Sequence, residues 1–290
     1  MCNTVPTTFR SDIMSHFSRI TNYSRVIVRN LLYPIYDSIC INKLDTPQQV
    51  ILLLSHMRAG STLCVNLLCT NPEIIGIGET GIHYSSESDF RILRGKVYSR
   101  RLRLLVTERY ILDNLNHNSN ISNSDIFNEN VKCIFLLRDS KSTLSSLLNE
   151  KILKMACPKQ VDGKVWASHY YRNRLAKLTE YAKLINNKEK SLYLTYEQLV
   201  SDTQKTFNSF QQFLDLQGSF SENYSPLPLK GFLGTGGVGD PVSKKITSGK
   251  IIRKQSPKIS LPPEISKECL ESYQSANVTL SKYCRCIGEN

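Results

Sequence analysis

QVILLLSHMRAGSTL, residues 49–63, opens as an uninterrupted apolar run and stops at Ser55 in a small-residue loop that carries Arg58. A continuous run such as Val50–Leu54 is the signature of a strand buried on both faces of a parallel sheet. The Gly-containing loop, followed by Ser61, Thr62 and a run of helix formers, places backbone N–H groups at a helix N-terminus. That arrangement suits an anion, above all a phosphate. A Walker loop is excluded, because it needs GxxxxGK[ST] and neither the first Gly nor the Lys before the hydroxyl is present. The cation instead precedes the Gly, in the order Arg58-Ala59-Gly60-Ser61-Thr62.

A second apolar run, within KCIFLLRDSKSTLSSLL at 132–148, repeats the pattern and ends at Arg138, with Ser146 eight residues on in an amphipathic stretch. An Arg at the carboxyl end of a strand and a Ser two helical turns later can close on one phosphate, the guanidinium giving a forked grip. Between the two runs, GIGETGIHYS places Glu79 twenty-one residues after Arg58, with His83 four residues further. Later come LTYEQLVSD at 194–202 and the amphipathic FNSFQQFLDL at 207–216.

Taken together, these elements resemble sulfotransferases that use 3′-phosphoadenylyl sulfate (PAPS), with spacing similar to the tyrosylprotein sulfotransferases, over about Val50 to Leu216. The resemblance implies a P-loop NTPase-like α/β fold of three layers, with a central, mostly parallel sheet flanked by helices. It implies that Arg58, Ala59, Gly60, Ser61 and Thr62 hold the 5′-phosphosulfate and that Arg138 and Ser146 hold the 3′-phosphate. Tyr196 would sit near the nucleotide, and Glu79 would be the general base, with His83 as its rival and Arg58 assisting the leaving group. It further implies a basic C-terminal loop over the nucleotide at about 231–260, where Ser256 and Lys258 match most closely. No metal is implied. The acceptor is a hydroxyl on a carbohydrate, lipid, small molecule or peptide. Directly after the Glu-Thr pair the tyrosylprotein enzymes carry an Arg that meets acidic peptides; here Gly81 stands there, which argues against tyrosine as the acceptor.

Composition sets outer bounds. At 290 residues with 40% apolar content, the chain is expected to form an N-terminal helical extension over 1–46 and one domain over 47–290. The net charge of +12 would concentrate a polyanionic donor in a cleft. The same charge would suit nucleic acid, but the aromatics are not interleaved with Lys and Arg as a nucleic-acid surface requires. A non-catalytic nucleotide-binding scaffold on the same fold is the other alternative. The basic run at 91–103 (RILRGKVYSRRLR) reads as a solvated helix face, within a helical reading of 90–115. The apolar, basic-flanked segment 25–41 either packs on the domain or makes peripheral membrane contact. The nine cysteines read as reduced residues of a cytoplasmic protein, and Cys269, Cys284 and Cys286 lack the second pair that a metal site needs. No run of eighteen apolar residues or signal-peptide core is present.

Overall fold

Val50, Leu52 and Leu54 pack on one side of the central strand and Ile51 and Leu53 on the other, each group in its own apolar core. A strand that buries both faces needs helices above and below it, so the alternation specifies three layers. The computed structural model describes residues 31–224 and 260–289.

In chain order the elements are α1 (Tyr33–Ile39), β1 (Ile41–Asn42), β2 (Gln49–Ser55), α2 (Ser61–Leu68), β3 (Ile74–Gly76), α3 (Ser88–Arg100), β4 (Leu105–Val106), β5 (Tyr110–Leu115), β6 (Val131–Leu137), α4 (Ser140–Leu147), α5 (Glu150–Ala156), α6 (Gly163–Ile185), β7 (Ser191–Thr195), α7 (Tyr196–Ser201), α8 (Thr203–Leu214), α9 (Pro263–Tyr283) and β8 (Arg285–Cys286). Six strands form one sheet in the order β3-β5-β2-β6-β7-β8, and every pairing in it is parallel. One core joins the sheet to α3, α6 and α9 through Leu93, Val97, Tyr171, Leu175 and Leu280. The other joins it to α2 and α8 through Leu67, Leu68, Phe207, Phe210 and Phe213. The expected α/β class with a parallel sheet between helical layers is thus the architecture observed.

The carboxyl ends of β2 and β6 lie side by side, with Leu54 paired to Phe135 and Ser55 to Leu136. Both predicted loops therefore open at the same edge, where open α/β sheets bind their ligands.

Two elements differ from the sequence expectation. The helix expected over 90–115 ends at Arg100, and the chain then turns back to form β5, which pairs with both β2 and β3. The turn is a Schellman closure: Arg103 N–H bonds Tyr98 O at 3.0 Å and Leu102 N–H bonds Ser99 O at 3.2 Å. Leu102 takes the left-handed position with φ 53°, where Gly usually stands. Helix α4 begins at Ser140, earlier than its apolar spacing indicates, because the Asp139 side chain accepts the Ser142 N–H at 2.8 Å and caps it.

Within segment 25–41, residues 25–30 lie outside the described residues, and α1 packs one face on α3. Gly95 permits the approach, since a Cβ there would lie 1.9 Å from the Tyr33 carbonyl oxygen. Arg94 donates to Asp37 at 2.7 Å across the same contact. Helix α9 and strand β8, not foreseen in the tail, close the sheet edge beside β7. No helix among the described residues is long and apolar enough to cross a membrane.

Candidate active site

The loop after β2 holds two left-handed residues, Arg58 (φ 68°) and Gly60 (φ 90°). The first is a strained position for a side-chain-bearing residue, of the kind that surrounding structure must enforce. The second admits Gly alone, because a Cβ would lie 2.3 Å from Tyr196 Cδ2. As N-cap of α2, Gly60 supplies no capping side chain to the first-turn N–H groups. Arg58 Nε donates to Ser146 Oγ at 2.7 Å. An Arg138 guanidinium N–H donates to the Arg58 carbonyl at 3.3 Å, and the guanidinium lies 4.4 Å from the Tyr196 ring centroid. Five sequence-predicted residues (Arg58, Gly60, Arg138, Ser146 and Tyr196) therefore meet at one point. Ser146 is tied to Arg58. Thr62 lies in the first turn of α2, Ala59 is buried beneath the loop, and Ser61 Oγ accepts from Asn114 Nδ2 at 3.1 Å.

His56 fastens the two strand ends. Its Nε2 accepts the Arg138 N–H at 3.1 Å, and Nδ1–H donates to the Met57 carbonyl at 3.0 Å. Burial pushes its pKa down to about 4, with Arg174 and Arg138 adding to the shift, so the ring is neutral and its tautomer follows from these two bonds. Tyr171 OH donates to the Arg138 carbonyl at 2.8 Å and completes the clamp. His56 thus serves as a neutral, buried tie between the two strand ends.

Glu79 lies just beyond β3. Ser55 Oγ donates to Asn116 Oδ1 at 2.5 Å, which turns the amide so that Nδ2 donates to Glu79 Oε2 at 3.2 Å. Burial raises the Glu79 pKa to about 7; the Asn116 bond and Arg174 oppose that rise, while Asp113 reinforces it. His117 Nε2 stands 3.7 Å from Glu79 Oε1, and burial, aided by Arg174, lowers its pKa. The two groups are neighbours of tuned proton affinity and not a firm ion pair. His83 is exposed, and its Nδ1 lies 2.7 Å from the Ser119 carbonyl.

The loop that bears Glu79 is fixed from below. Asp113, fully buried on β5, accepts from Thr80 N at 3.0 Å, Thr80 Oγ1 at 2.5 Å, Tyr84 OH at 2.6 Å and Asn114 N at 2.8 Å. Helix α6 ties this region to the phosphate-type loop. Tyr170 OH accepts the Met57 N–H at 2.7 Å and donates to the Asn116 carbonyl at 2.8 Å. One turn on, Arg174 is 1% exposed and spreads its guanidinium over Ser55 O (2.8 Å), Leu115 O (2.6 Å) and Asn118 Oδ1 (3.0 Å). Asp113, Asn116, His117, Tyr170 and Arg174 were not foreseen. Their one signal is polarity inside otherwise apolar patterns, in YILDNLN at 110–116 and beside Tyr171 and Leu175 on α6. Ser256, Lys258 and the basic loop at 231–260 fall almost wholly outside the described residues, and both named residues do.

The family model described as "Sulfotransferase domain" matches residues 49–227. The chain belongs to the sulfotransferase family. The matched segment starts at the first residue of β2 and takes in Arg58, Glu79, Arg138, Ser146 and Tyr196. Among solved structures this sulfotransferase is similar to the "Sulfotransferase Domain from the Curacin Biosynthetic Pathway", with 17% identity, a TM-score of 0.44, and coverage of 67% of this chain and 81% of that one. It is also similar to mouse sulfotransferase SULT7A1 complexed with PAP, with 13% identity, a TM-score of 0.40, and 66% of each chain covered. Comparison with curated proteins returned no match.

Proposed function

We propose that this sulfotransferase moves a sulfuryl group from PAPS to a hydroxyl acceptor, with Glu79 as the general base. The observation that carries the reading is the meeting of Arg58, Arg138, Ser146 and Tyr196 around a helix N-terminus without a side-chain cap, linked through Met57, Tyr170 and Asn116 to a partly buried carboxylate of raised pKa. The donor set fits a multiply charged phosphate ester: two guanidiniums, hydroxyls and backbone N–H groups, with no carboxylate among them. Among the described residues no group of three or more His, Cys, Asp and Glu is arranged for a metal, and the proposal invokes none.

PAPS supplies a sulfuryl group on a phosphosulfate anhydride. The Gly60–Thr62 segment would hold the 5′-phosphate, and Arg138 with Ser146 the 3′-phosphate. Glu79 takes the proton of the acceptor hydroxyl as its oxygen bonds to sulfur and the sulfur–oxygen bond to the 5′-phosphate breaks. Arg58 neutralises the charge that collects on the departing phosphate. A base pKa near 7 matches proton removal at neutral pH. The bond from His83 to the Ser119 carbonyl and its exposure favour Glu79 over it. Gly81 places no side-chain cation where the tyrosylprotein enzymes carry an Arg for acidic peptides. This supports a carbohydrate, lipid or small hydroxyl acceptor. The buried thiols Cys64 and Cys133, both pushed above their ordinary pKa by burial, suit a reducing cytoplasm.

The test is transfer of labelled sulfate from PAPS across an acceptor panel, alongside the melting temperature with PAP. PAP stabilises the wild type by mass action, and Arg138→Ala abolishes that shift. Glu79→Gln keeps the shift and loses transfer. A Glu79→Gln enzyme of undiminished rate refutes the base assignment, and absence of any PAP effect refutes the donor.

A further inference from the structure

The outer face of α1 is apolar where a surface helix is ordinarily polar. Leu32, Ile35 and Ile39 are all about half exposed or more, on the face opposite the one that packs against α3. Strand β1 continues this surface: Ile41 pairs in register with Leu105, and both are exposed. Beside them stands Leu102, 89% exposed at a left-handed φ of 53°. The backbone there favours glycine, so the side chain is kept against local preference and projects into solvent. Tyr36 OH donates to the Arg103 carbonyl at 3.1 Å and joins the turn to α1.

The rim is basic. Lys43, Arg91, Arg100 and Arg103 are exposed, and segments 31–45 and 91–106 hold no acidic residues besides Asp37 and Asp45. Arg91 and Arg94 share Asp37, and Arg103 pairs with Glu108. Around Leu102 the sequence reads Arg100-Arg101-Leu102-Arg103-Leu104-Leu105, apolar side chains set between guanidiniums.

From this geometry we propose that the α1 face and the 102–105 corner form a docking surface for an anionic lipid bilayer. The leucines and isoleucines enter the interfacial region, and the surrounding cations meet lipid phosphates and carboxylates. A protein interface fits less well, since such interfaces are depleted of charge at their centre. A nucleic-acid surface fits less well too, since the projecting groups are aliphatic and cannot stack on bases.

Full-length protein is mixed with phosphatidylcholine vesicles, with and without phosphatidylserine, and binding is read by co-sedimentation at low and high salt. Phosphatidylserine increases the bound fraction, and salt reverses the increase. Leu102→Asp and Ile35→Asp each lower the partition coefficient roughly tenfold or more, and Lys43→Glu weakens the phosphatidylserine-dependent part. Both apolar positions are exposed, so circular dichroism and melting temperature stay near wild type, which separates lost docking from lost folding. Four results overturn the proposal. The first is no sedimentation with phosphatidylserine vesicles, and the second is equal binding by Leu102→Asp and Ile35→Asp. The third is a dimer, seen by light scattering, that Ile35→Asp dissolves without vesicle binding in the wild type. The fourth is salt-sensitive RNA binding in place of vesicle binding.

Discussion

Replacing Glu79 with Gln should stabilise the protein while removing the proposed base, and the gain should depend on pH in a defined way. Burial raises the carboxyl pKa from the ordinary 4.5 to about 7. The folded state therefore keeps a proton that the unfolded chain releases between those values. Stability falls as pH rises through that window, and the full cost stands above pH 7. At 1.36 kcal/mol per pH unit the cost is about 3 kcal/mol. The Glu79 side chain is only 17% exposed, so solvent screening removes little of it. Glutamine carries no charge at any pH and still accepts from Asn116 Nδ2, so the variant avoids the penalty and keeps the bond. For a chain of this length a kcal/mol corresponds to a little under 2 °C, so the melting temperature of Glu79→Gln should exceed wild type by about 5 °C at pH 8. The difference should shrink steadily toward pH 5. Differential scanning fluorimetry on both proteins across pH 5–8.5 measures it. Parallel curves, or a variant less stable than wild type at pH 8, would refute the reasoning, because either outcome means that Glu79 is not held charged against its surroundings.

Gly60→Ala combines a left-handed φ with a Cβ 2.3 Å from the Tyr196 ring. It should cost more than about 1 kcal/mol by urea unfolding and abolish the melting shift caused by PAP. Asp113→Asn and Arg174→Met remove opposite charges near Glu79, so the alkaline rise of kcat/KM should move to lower pH in the first and to higher pH in the second; shifts in the same direction would contradict the electrostatics. His83→Gln should leave kcat/KM and its pH profile unchanged in the sulfate-transfer assay, and a loss comparable to that of Glu79→Gln would reassign the base.

What the sequence showed clearly were the places where an apolar run meets a polar stop. Val50–Leu54 and Ile134–Leu137 each end in a loop whose chemistry is local, so Arg58, Gly60 and Arg138 could be placed without tertiary knowledge. Ser146 came with them by its helical spacing from Arg138, and Tyr196 through the family resemblance alone. Strand β5 was not legible for a converse reason. Asp113 and Asn114 interrupt its apolar pattern, and the helical periodicity of 91–103 ran into it without a glycine to mark the stop. Leu102 occupies that stop, and only the closed Schellman bonds reveal it. Asp113 is tolerable in the middle of a sheet because four donors converge on it, and three come from Thr80 and Tyr84, which are distant in sequence. Nothing in the neighbourhood of Asp113 along the chain announces them.

Arg174 carries the same lesson into the chemistry. A parallel sheet ends in a row of carbonyls that no further strand accepts, and burying them unmet is costly. Two guanidinium nitrogens of Arg174 on α6 meet Ser55 O and Leu115 O at the ends of β2 and β5, and the third meets Asn118 Oδ1. This finishes the sheet, and it also fixes a buried positive charge near Glu79 and His117, lowering the proton affinity of both. Asp113 does the reverse: it anchors Thr80 to β5 and raises the Glu79 pKa. The residues that make the strand ends foldable therefore also trim, in opposite directions, the Glu79 pKa that burial raises. Loss of activity alone in either variant would not separate scaffold from catalysis, whereas the direction in which the pH profile moves does, because a loosened scaffold has no reason to shift the base oppositely in the two.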